Sequence, residues 1–251
     1  MDARRGVFAD FLLATAVLTR LPVGVAAVGN GAVARACWAF PLVGAGTGFI
    51  AGAVFFAAGA IGLGGLPAAV LAVLAGVALT GALHEDGLAD TADGLGGGRD
   101  REQKLAIMRD SRVGAYGVIA LTFSIGLRCA ALSAIGDPIH AGLALIAAHA
   151  ASRGFLAPVM ALLDPAREDG LGATAGRPGQ PTALAAAAIG AAIAIGCLGP
   201  AGGIAALVLA GAGAAAIAVL AWRQIGGYTG DVLGAIQQIG EIVMLLVAAR
   251  P

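Results

Sequence analysis

The sequence predicts an all-α fold, a polytopic integral membrane bundle of about seven spans formed by residues 1–251 as one membrane-embedded domain. Of its 251 residues, 59% are hydrophobic and only 12% are charged, against roughly 25% charged residues in a typical soluble protein. Two long stretches, 36–83 and 178–222, contain no charged side chain. Each is long enough for two helical crossings, since one crossing takes about 20 residues.

The individual spans are separated by turn signals. Clusters of Gly and Pro at 62–67 and 199–203 divide the two uncharged stretches, and Gly136-Asp137-Pro138 separates two later apolar segments. These runs lack the two-residue alternation of an outer-membrane barrel, so helices are expected. The predicted spans are 38–62, 67–84, 113–135, 139–163, 182–199, 204–222 and 232–249.

The N-terminal segment predicts one further helix, which is not a full crossing. Phe8, Phe11, Leu12 and Ala16 recur at helical spacing. Asp10 interrupts the apolar run, which leaves it short for the core of a secretory signal. We therefore expect an uncleaved amphipathic helix that is interfacial or re-entrant.

The basic residues predict the orientation in the membrane. Short cytoplasmic loops of membrane proteins collect Lys and Arg. With a cytoplasmic N-terminus, twelve of the fifteen basic residues fall on the cytoplasmic side, including those of a predicted catalytic loop at about 85–112. They are Arg4, Arg5, Arg20, Arg35, Arg99, Arg101, Lys104, Arg109, Arg112, Arg167, Arg177 and Arg223.

Charge and cysteine content exclude several other classes. Lys plus Arg and Asp plus Glu both number 15, so no basic excess is available to bind nucleic acid. The lipid bilayer is the expected partner, and a homo-oligomer is compatible with the sequence. Cys37, Cys129 and Cys197 lie far apart in apolar stretches, which indicates packing residues and no disulfide or zinc framework.

Acidic residues concentrate after the second predicted span. Asp86, Asp90 and Asp93 have i, i+4, i+7 spacing, which places their carboxylates on one stripe of a helix, with Glu85 beside it. Such a stripe repels itself unless it is strongly hydrated, its pKa values rise or a cation binds. A hard divalent ion held by Glu85, Asp86, Asp90 and Asp93 is the favoured interpretation, ahead of a solvated acidic face.

Glycine and arginine follow these acids. The run 94–98 is Gly-Leu-Gly-Gly-Gly, and Arg109-Asp110-Ser111-Arg112 stands at the foot of the third predicted span. Metal-binding carboxylates with arginines beside them are what phosphoryl transfer requires, because both neutralise developing charge on phosphate oxygens. The preference of cytoplasmic loops for basic residues would by itself explain the arginines, but it does not explain the acids.

Other polar residues occupy positions that an apolar helix normally avoids. Asp231 lies near the start of the last span, where it is either an N-cap or a functional acid. Arg128, Arg153 and Glu241 fall within spans, where an Arg–Glu pair and a role with substrate are equally compatible with the pattern. His84, just before the acids, is a candidate for binding metal or phosphate.

Five segments together resemble the cobalamin synthase family, the adenosylcobinamide-GDP ribazoletransferases. The strongest match is Thr-Gly-Ala-Leu-His-Glu-Asp-Gly-Leu-Ala-Asp-Thr-Ala-Asp-Gly at 80–94. The others occur in the family's order at 18–23 (LTRLPV), 40–44 (FPLVG), 107–117 (IMRDSRVGAYG) and 227–235 (GYTGDVLGA).

The resemblance implies a multi-pass enzyme of the bacterial inner membrane. Such an enzyme joins adenosylcobinamide-GDP to α-ribazole or its 5′-phosphate and releases GMP, with Mg²⁺ as cofactor. Combined with the residue pattern, it gives Arg109, Arg112 and His84 as groups that stabilise the leaving GMP, and Asp93 or Asp110 as the base that accepts the ribose proton. Further substrate contacts are expected from Ser111, Tyr116, Arg153, Tyr228, Thr229 and Asp231.

Two alternatives remain open at this point. One is a phosphotransferase that uses a CDP-alcohol, although the Asp-Gly-x-x-Ala-Arg run of that chemistry is absent. The other is a transporter whose acids bind a coupling cation. A transporter would favour two repeat-related acidic sites, and the sequence has no second copy of the 84–94 pattern.

Overall fold

The computed structural model describes residues 3–24, 29 and 31–250, and it confirms the all-α prediction. Within those residues the chain forms helices and no strand, apart from an isolated bridge between Pro165 and Tyr228. The helices are α1 (Ala3–Leu18), α2 (Ala32–Ala36), α3 (Phe40–Ala60), α4 (Leu66–Thr80), α5 (Leu83–Gly97), α6 (Arg101–Ile107), α7 (Ala115–Ile135), α8 (Pro138–Gly154), α9 (Leu156–Leu162), α10 (Leu171–Thr174), α11 (Gln180–Ile225) and α12 (Gly230–Ala248).

Five segments of the described chain are long and apolar enough to cross a membrane. They are Ala32–Ala60, Ala115–Ile135, Pro138–Leu162, Gln180–Ile225 and Gly230–Ala248. A sixth candidate is the pair α4 and α5, which is bent by 90° and forms either a broken span or a re-entrant loop. The multi-pass architecture is therefore confirmed, and the number of spans depends on how the two irregular segments are counted.

The 46-residue helix α11 is one of these irregular segments. A straight helix of that length would extend about 69 Å, more than twice the ~30 Å hydrocarbon core of a bilayer. Gly199 interrupts it with φ 73°, a left-handed value that suits glycine, and Pro200 follows. Gly203 then packs so closely on the preceding half that a Cβ there would lie 2.6 Å from Ile195 Cα. The chain thus turns back where the sequence predicts a turn, and about seven crossings result if the bent pair counts as one more.

Glycines allow α3 and α8 to pack closely in the middle of the bundle. A Cβ at Gly44 would lie 2.2 Å from His149 O, and one at Gly48 would lie 2.4 Å from Leu145 O. The next glycine in the same series, Gly52, faces Gly142. Small residues at four-residue spacing are the usual means by which membrane helices approach each other. This packing accounts for part of the high glycine content.

The acidic segment is not continuous with α4, the apolar helix that precedes it. Gly81 and Ala82 both adopt left-handed backbone angles, with φ 66° and 59°, and α5 leaves α4 at 90°. Arg20 packs against Gly81, where a Cβ would lie 2.2 Å from its Nε, and Arg20 N donates to Leu79 O. The predicted loop at 85–112 is also largely helical, because α5 and α6 occupy most of it.

The predicted N-terminal helix is present as α1. It packs against α2 and α3 through Leu13, Ala14 and Leu18, which are buried. Phe8, one of the residues that predicted the apolar face, is 63% exposed. Phe11, Leu12 and Ala16 are partly buried, and Phe11 packs against the core, so the apolar face predicted for α1 is packed in part.

Candidate active site

Two glycines bring the acidic helix α5 onto the start of α12. A Cβ at Gly87 would lie 2.8 Å from Asp231 O, and one at Gly234 would lie 3.1 Å from Gly87 Cα. This close crossing places Asp231 near the acidic stripe of α5, and the charges of Asp86 and Asp231 both act on Asp90. Three of the predicted functional acids, Asp86, Asp90 and Asp231, are therefore brought together from two distant parts of the sequence.

Asp231 is not the N-cap of α12. Thr229 caps the helix, because its Oγ1 accepts a hydrogen bond from Val232 N at 3.2 Å. Thr229 Oγ1 also donates to Asp231 Oδ2 at 3.0 Å, and Arg167 Nη2 lies 3.3 Å from the same oxygen. The adjacent Tyr228 is buried and donates to Gly172 O at 3.3 Å. The GYTGD segment thus holds the Asp231 carboxylate in a fixed position beside a cation.

A cavity of about 270 Å³ opens beside these acids. Its lining includes the polar side chains of Asp86, Asp231, His84 and Arg167, and the rest of the lining is largely apolar. His84 is 3% exposed and its Nε2 has no hydrogen-bond partner in the described part of the chain. The Nη1 atom of Arg167 is likewise buried without a partner. Two unpaired nitrogens therefore belong to side chains that line the same cavity.

The four predicted metal ligands do not all converge. Asp86 lines the cavity and Asp90 lies near Asp231, as described above. Glu85 instead extends toward α7, where its Oε1 lies 3.0 Å from Arg128 Nη2. Asp93 accepts hydrogen bonds from Gly114 N at 2.7 Å and Gly117 N at 2.9 Å, which anchors the first turn of α7.

No group of three or more His, Cys, Asp or Glu side chains within residues 3–24, 29 and 31–250 has its donor atoms already gathered for a metal ion. The Mg²⁺ site therefore remains a prediction. The residues that the crossing does bring together, Asp86, Asp90 and Asp231, offer hard carboxylate oxygens of the kind that Mg²⁺ prefers. These oxygen donors suit Mg²⁺. The set contains Asp231, whereas the sequence pattern had suggested Glu85 and Asp93.

A buried ionic network fills the bundle behind the acidic helix. Arg128 Nη1 lies 3.0 Å from Glu241 Oε1, in addition to the contact of Nη2 with Glu85. His149 Nδ1 lies 3.0 Å from Arg153 Nη1 and 3.3 Å from Glu241 Oε2. All five of these side chains are buried, and the two arginines balance the two glutamates in formal charge.

Amide and hydroxyl side chains complete this network. Gln238 Nε2 donates to Glu85 Oε1 at 3.1 Å, and Ser124 Oγ donates to Gln238 Oε1 at 2.7 Å. Gln237 Nε2 donates to both Glu241 Oε2 and Ser152 Oγ. Arg153, predicted to contact substrate, is placed here and does not line the cavity. Of the two roles that the sequence left open for Arg128 and Glu241, the structure shows the ion pair.

The predicted basic segment at 109–112 lies at the surface. Arg112 Nε donates to Asp110 Oδ1 at 3.0 Å, and this pairing lowers the pKa of the Asp110 carboxyl to about 2. Arg109 Nη2 lies 2.8 Å from Asp169 Oδ1. Ser111 is exposed, and Tyr116 is 55% exposed with its ring over Gly96. The four residues from Arg109 to Arg112 and Tyr116 therefore lie outside the cavity that Asp86 and Asp231 share.

A second, polar cavity of about 480 Å³ adjoins this surface. Arg101, Arg109 and Arg167 line it together with Glu102 and Glu168. Arg101 is engaged structurally, since its Nε donates to Ile225 O at 2.9 Å. Arg167 belongs to the walls of both cavities.

Arg167 is the main site residue that the sequence did not indicate. Sequence reasoning counted it only as one of the cytoplasmic basic residues. No motif surrounds it, and its importance comes from its contact with Asp231, 64 residues later in the chain. The close glycine pair of Gly87 and Gly234 was also missed, although both lie inside segments that the resemblance singles out.

Comparison with known proteins places the chain in a family. The family model described as cobalamin-5-phosphate synthase matches residues 10–249. An adenosylcobinamide-GDP ribazoletransferase from Bradyrhizobium diazoefficiens is 50% identical over 98% of this chain and 95% of its own length. Proteins of the same name from Mesorhizobium japonicum and Azorhizobium caulinodans are 50% and 45% identical, each over 98% of this chain and over 94% and 98% of their own lengths. No solved structure matches. The chain therefore belongs to the cobalamin-5-phosphate synthase family and is a transferase of cobalamin biosynthesis.

Proposed function

We propose that this protein joins adenosylcobinamide-GDP to α-ribazole or α-ribazole 5′-phosphate and releases GMP, in a reaction that requires Mg²⁺. The observation that carries the proposal is the convergence of Asp86, Asp90 and Asp231 beside Arg167 at the Gly87–Gly234 crossing. Carboxylates and an arginine at the edge of a cavity are the groups that phosphoryl transfer uses. The names of the relatives supply the two substrates.

The reaction is a displacement at phosphorus. A hydroxyl of the ribazole ribose forms a new P–O bond to the phosphorus that carries the cobinamide, and the bond to GMP breaks. Asp86 and Asp90 would hold Mg²⁺, and Asp231 lies beside them without being assigned to the ion. When bound, the ion neutralises negative charge on the phosphate oxygens.

The side chains around the ion have separate tasks. Arg167 is held beside Asp231 and borders both cavities, so its guanidinium can bind a phosphate oxygen between them. We assign the guanosine nucleotide to the polar cavity, where Arg109 adds positive charge. Asp231 lines the apolar cavity and is the carboxylate that we place to accept the ribose proton, since neither Asp93 nor Asp110 lines that cavity.

The orientation is part of the proposal. The twelve basic residues that define the cytoplasmic side include Arg109 and Arg167, so the site would face the cytoplasm of the bacterial inner membrane, as would the N-terminus. Both substrates would then be reached from the side on which nucleotides are made. A cysteine placed at Glu102 should react with a membrane-impermeant thiol reagent only in inverted vesicles.

Detection of GMP tests the reaction. The purified protein in liposomes is incubated with adenosylcobinamide-GDP, α-ribazole and Mg²⁺, and both GMP and the joined corrinoid are measured. We expect equal amounts of the two products, with none when EDTA is present or when α-ribazole is omitted. GMP release without α-ribazole would show a hydrolase, and no turnover with any of the substrates would contradict the proposal. Replacement of α-ribazole by a CDP-alcohol should give no product.

A further inference from the structure

We propose that the cavity of about 270 Å³ between α1, α2, α5, α9 and α12 is the binding site for the benzimidazole riboside, with its base among the apolar side chains and its ribose at His84 and Arg167. This assignment rests on the proposed function. It goes further by naming which substrate occupies the cavity and which residues select it.

Cavity size limits the choice of substrate. Pockets for drug-sized ligands have volumes of about 300–1,000 Å³, and this cavity lies just below that range. A bicyclic base fits such a space, whereas a corrin ring with its side chains does not. The corrinoid must therefore approach from outside, and only the ribazole or the guanosine can enter.

The chemistry of the walls separates these two nucleosides. Guanine carries amide and amino groups on its edges, and burying each of them without a hydrogen-bond partner is unfavourable. The edge of 5,6-dimethylbenzimidazole carries two methyl groups, which gain free energy in an apolar site. Apolar side chains from α1, α2, α3 and α9 line the cavity, namely Val17, Leu18, Val33, Phe40, Leu156 and Met160.

Two polar residues that line the cavity, His84 and Arg167, each have a nitrogen without a partner among the residues described, and this favours a polar ligand group beside them. His84 Nε2 and Arg167 Nη1 are buried and have no hydrogen-bond partner in the described residues. Buried polar atoms of this kind are rare in native proteins, since leaving them unpaired is costly. A ribose whose hydroxyls, or whose 5′-phosphate, reach these two side chains would satisfy both. The ribose would then lie beside Asp86 and Asp231, where the new P–O bond is to form.

Filling the apolar part of the cavity tests the assignment. Val33 and Val17 are half-buried and line the cavity from two different helices, so Val33→Phe and Val17→Phe add volume without replacing a fully buried core residue. Val70→Phe is the matched control, because Val70 is 46% exposed on α4 and does not line the cavity. Steady-state KM values for both substrates are measured for each variant in liposomes.

We expect each cavity variant to raise the KM for α-ribazole about tenfold, which corresponds to ~1.4 kcal/mol. The KM for adenosylcobinamide-GDP and the kcat at saturating α-ribazole should stay within about twofold of wild type. The KM for the riboside of unmethylated benzimidazole should rise less than the KM for α-ribazole, because the smaller base needs less space. Val70→Phe should leave every value at the wild-type level.

Other results would overturn the assignment. A rise in the KM for adenosylcobinamide-GDP alone would place the corrinoid substrate or its nucleotide in the cavity. Equal rises in the KM values of the methylated and unmethylated ribosides would show that the variants disturb the fold and not the base site.

Equilibrium dialysis of radiolabelled α-ribazole against the same three variants separates this proposal from the proposed function. If the wild-type protein binds α-ribazole and the cavity variants bind it more weakly, the site assignment holds even when no GMP is formed. If turnover is normal and binding is the same in all variants, the assignment fails and the proposed function stands.

Discussion

Arg128 Nη2 lies 3.0 Å from Glu85 Oε1, and this contact ties the middle of α7 to the first turn of the acidic helix α5. Both side chains are at least 90% buried. The pairing fixes the rotation of α5, because Glu85 can reach Arg128 only when the next residue, Asp86, is turned toward the cavity and Asp231. The ionic network in the bundle thus supports the geometry of the candidate active site.

Removal of Arg128 should destabilise the protein strongly. Arg128→Met would leave Glu85 and Glu241 without their shared cation, at a cost of about 3–5 kcal/mol for a broken buried pair. We expect the Tm in detergent to fall by about 10 °C. Arg99→Met, which alters an exposed arginine, should change the Tm by less than about 2 °C. An unchanged Tm in Arg128→Met would show that the pair contributes nothing to folding.

Neutralising the converging acids should abolish transfer without unfolding the protein. Asp86→Asn and Asp90→Asn each remove a carboxylate from the site in which Mg²⁺ is expected, so the rate of GMP release should fall at least about a hundredfold. A higher Mg²⁺ concentration should be needed for half-maximal residual activity. Asp137→Asn is the control, because it lies at the α7–α8 turn and asparagine preserves its role as N-cap of α8. Substantial turnover in Asp86→Asn would remove that residue from the site.

A methyl group at Gly117 should disturb the anchor of α7. Its Cβ would lie 2.4 Å from Asp93 Oδ2 and 3.1 Å from Ala89 O, so Gly117→Ala must displace the carboxylate that accepts Gly114 N and Gly117 N. Overpacking of this kind costs about 1–3 kcal/mol. Gly126→Ala in the same helix meets nothing within 4 Å and should be neutral or stabilising. Thermal unfolding of both variants measures the difference, and equal Tm values would contradict the anchor.

Asp110 should not control the pH dependence of the reaction. Arg112 lowers the pKa of Asp110 to about 2, so the carboxylate is ionised at every pH above that value and does not change protonation between pH 5 and 9. The pH profile of kcat/KM for Asp110→Asn should therefore have the same midpoints as the wild-type profile, whatever its amplitude. If the acidic limb shifts in Asp110→Asn, then Asp110 is the titrating base.

Local patterns in the sequence were sufficient to predict the class of fold and the position of the acidic helix. Long uncharged runs give the apolar helices, and the i, i+4, i+7 spacing correctly indicates that Asp86, Asp90 and Asp93 share a helix. The turn at Gly199 could also be predicted, because glycine and proline act through their own backbone. These features depend on residues that are close together in the sequence, so local patterns are enough to predict them.

The different roles of the acidic residues could not be predicted in the same way. Glu85 and Asp93 belong to the same acidic segment as Asp86, yet α7 supplies partners to both and so removes them from the cavity. The cavity itself is built from helices at opposite ends of the chain, which no local pattern reports. Arg167 was overlooked for this reason, since only the folded protein brings it to Asp231.

The buried network also constrains how the protein is made. Arg153 on α8 has its neighbouring carboxylate, Glu241, on α12, which is synthesised after α8. Until α12 enters the bilayer, the nascent chain carries Arg128 and Arg153 against Glu85 alone, which leaves one positive charge without a counter-ion. A lone arginine in hydrocarbon costs at least about 2.5–3.5 kcal/mol. The balance of charge around α7 and α8 is therefore complete only once α12 supplies Glu241.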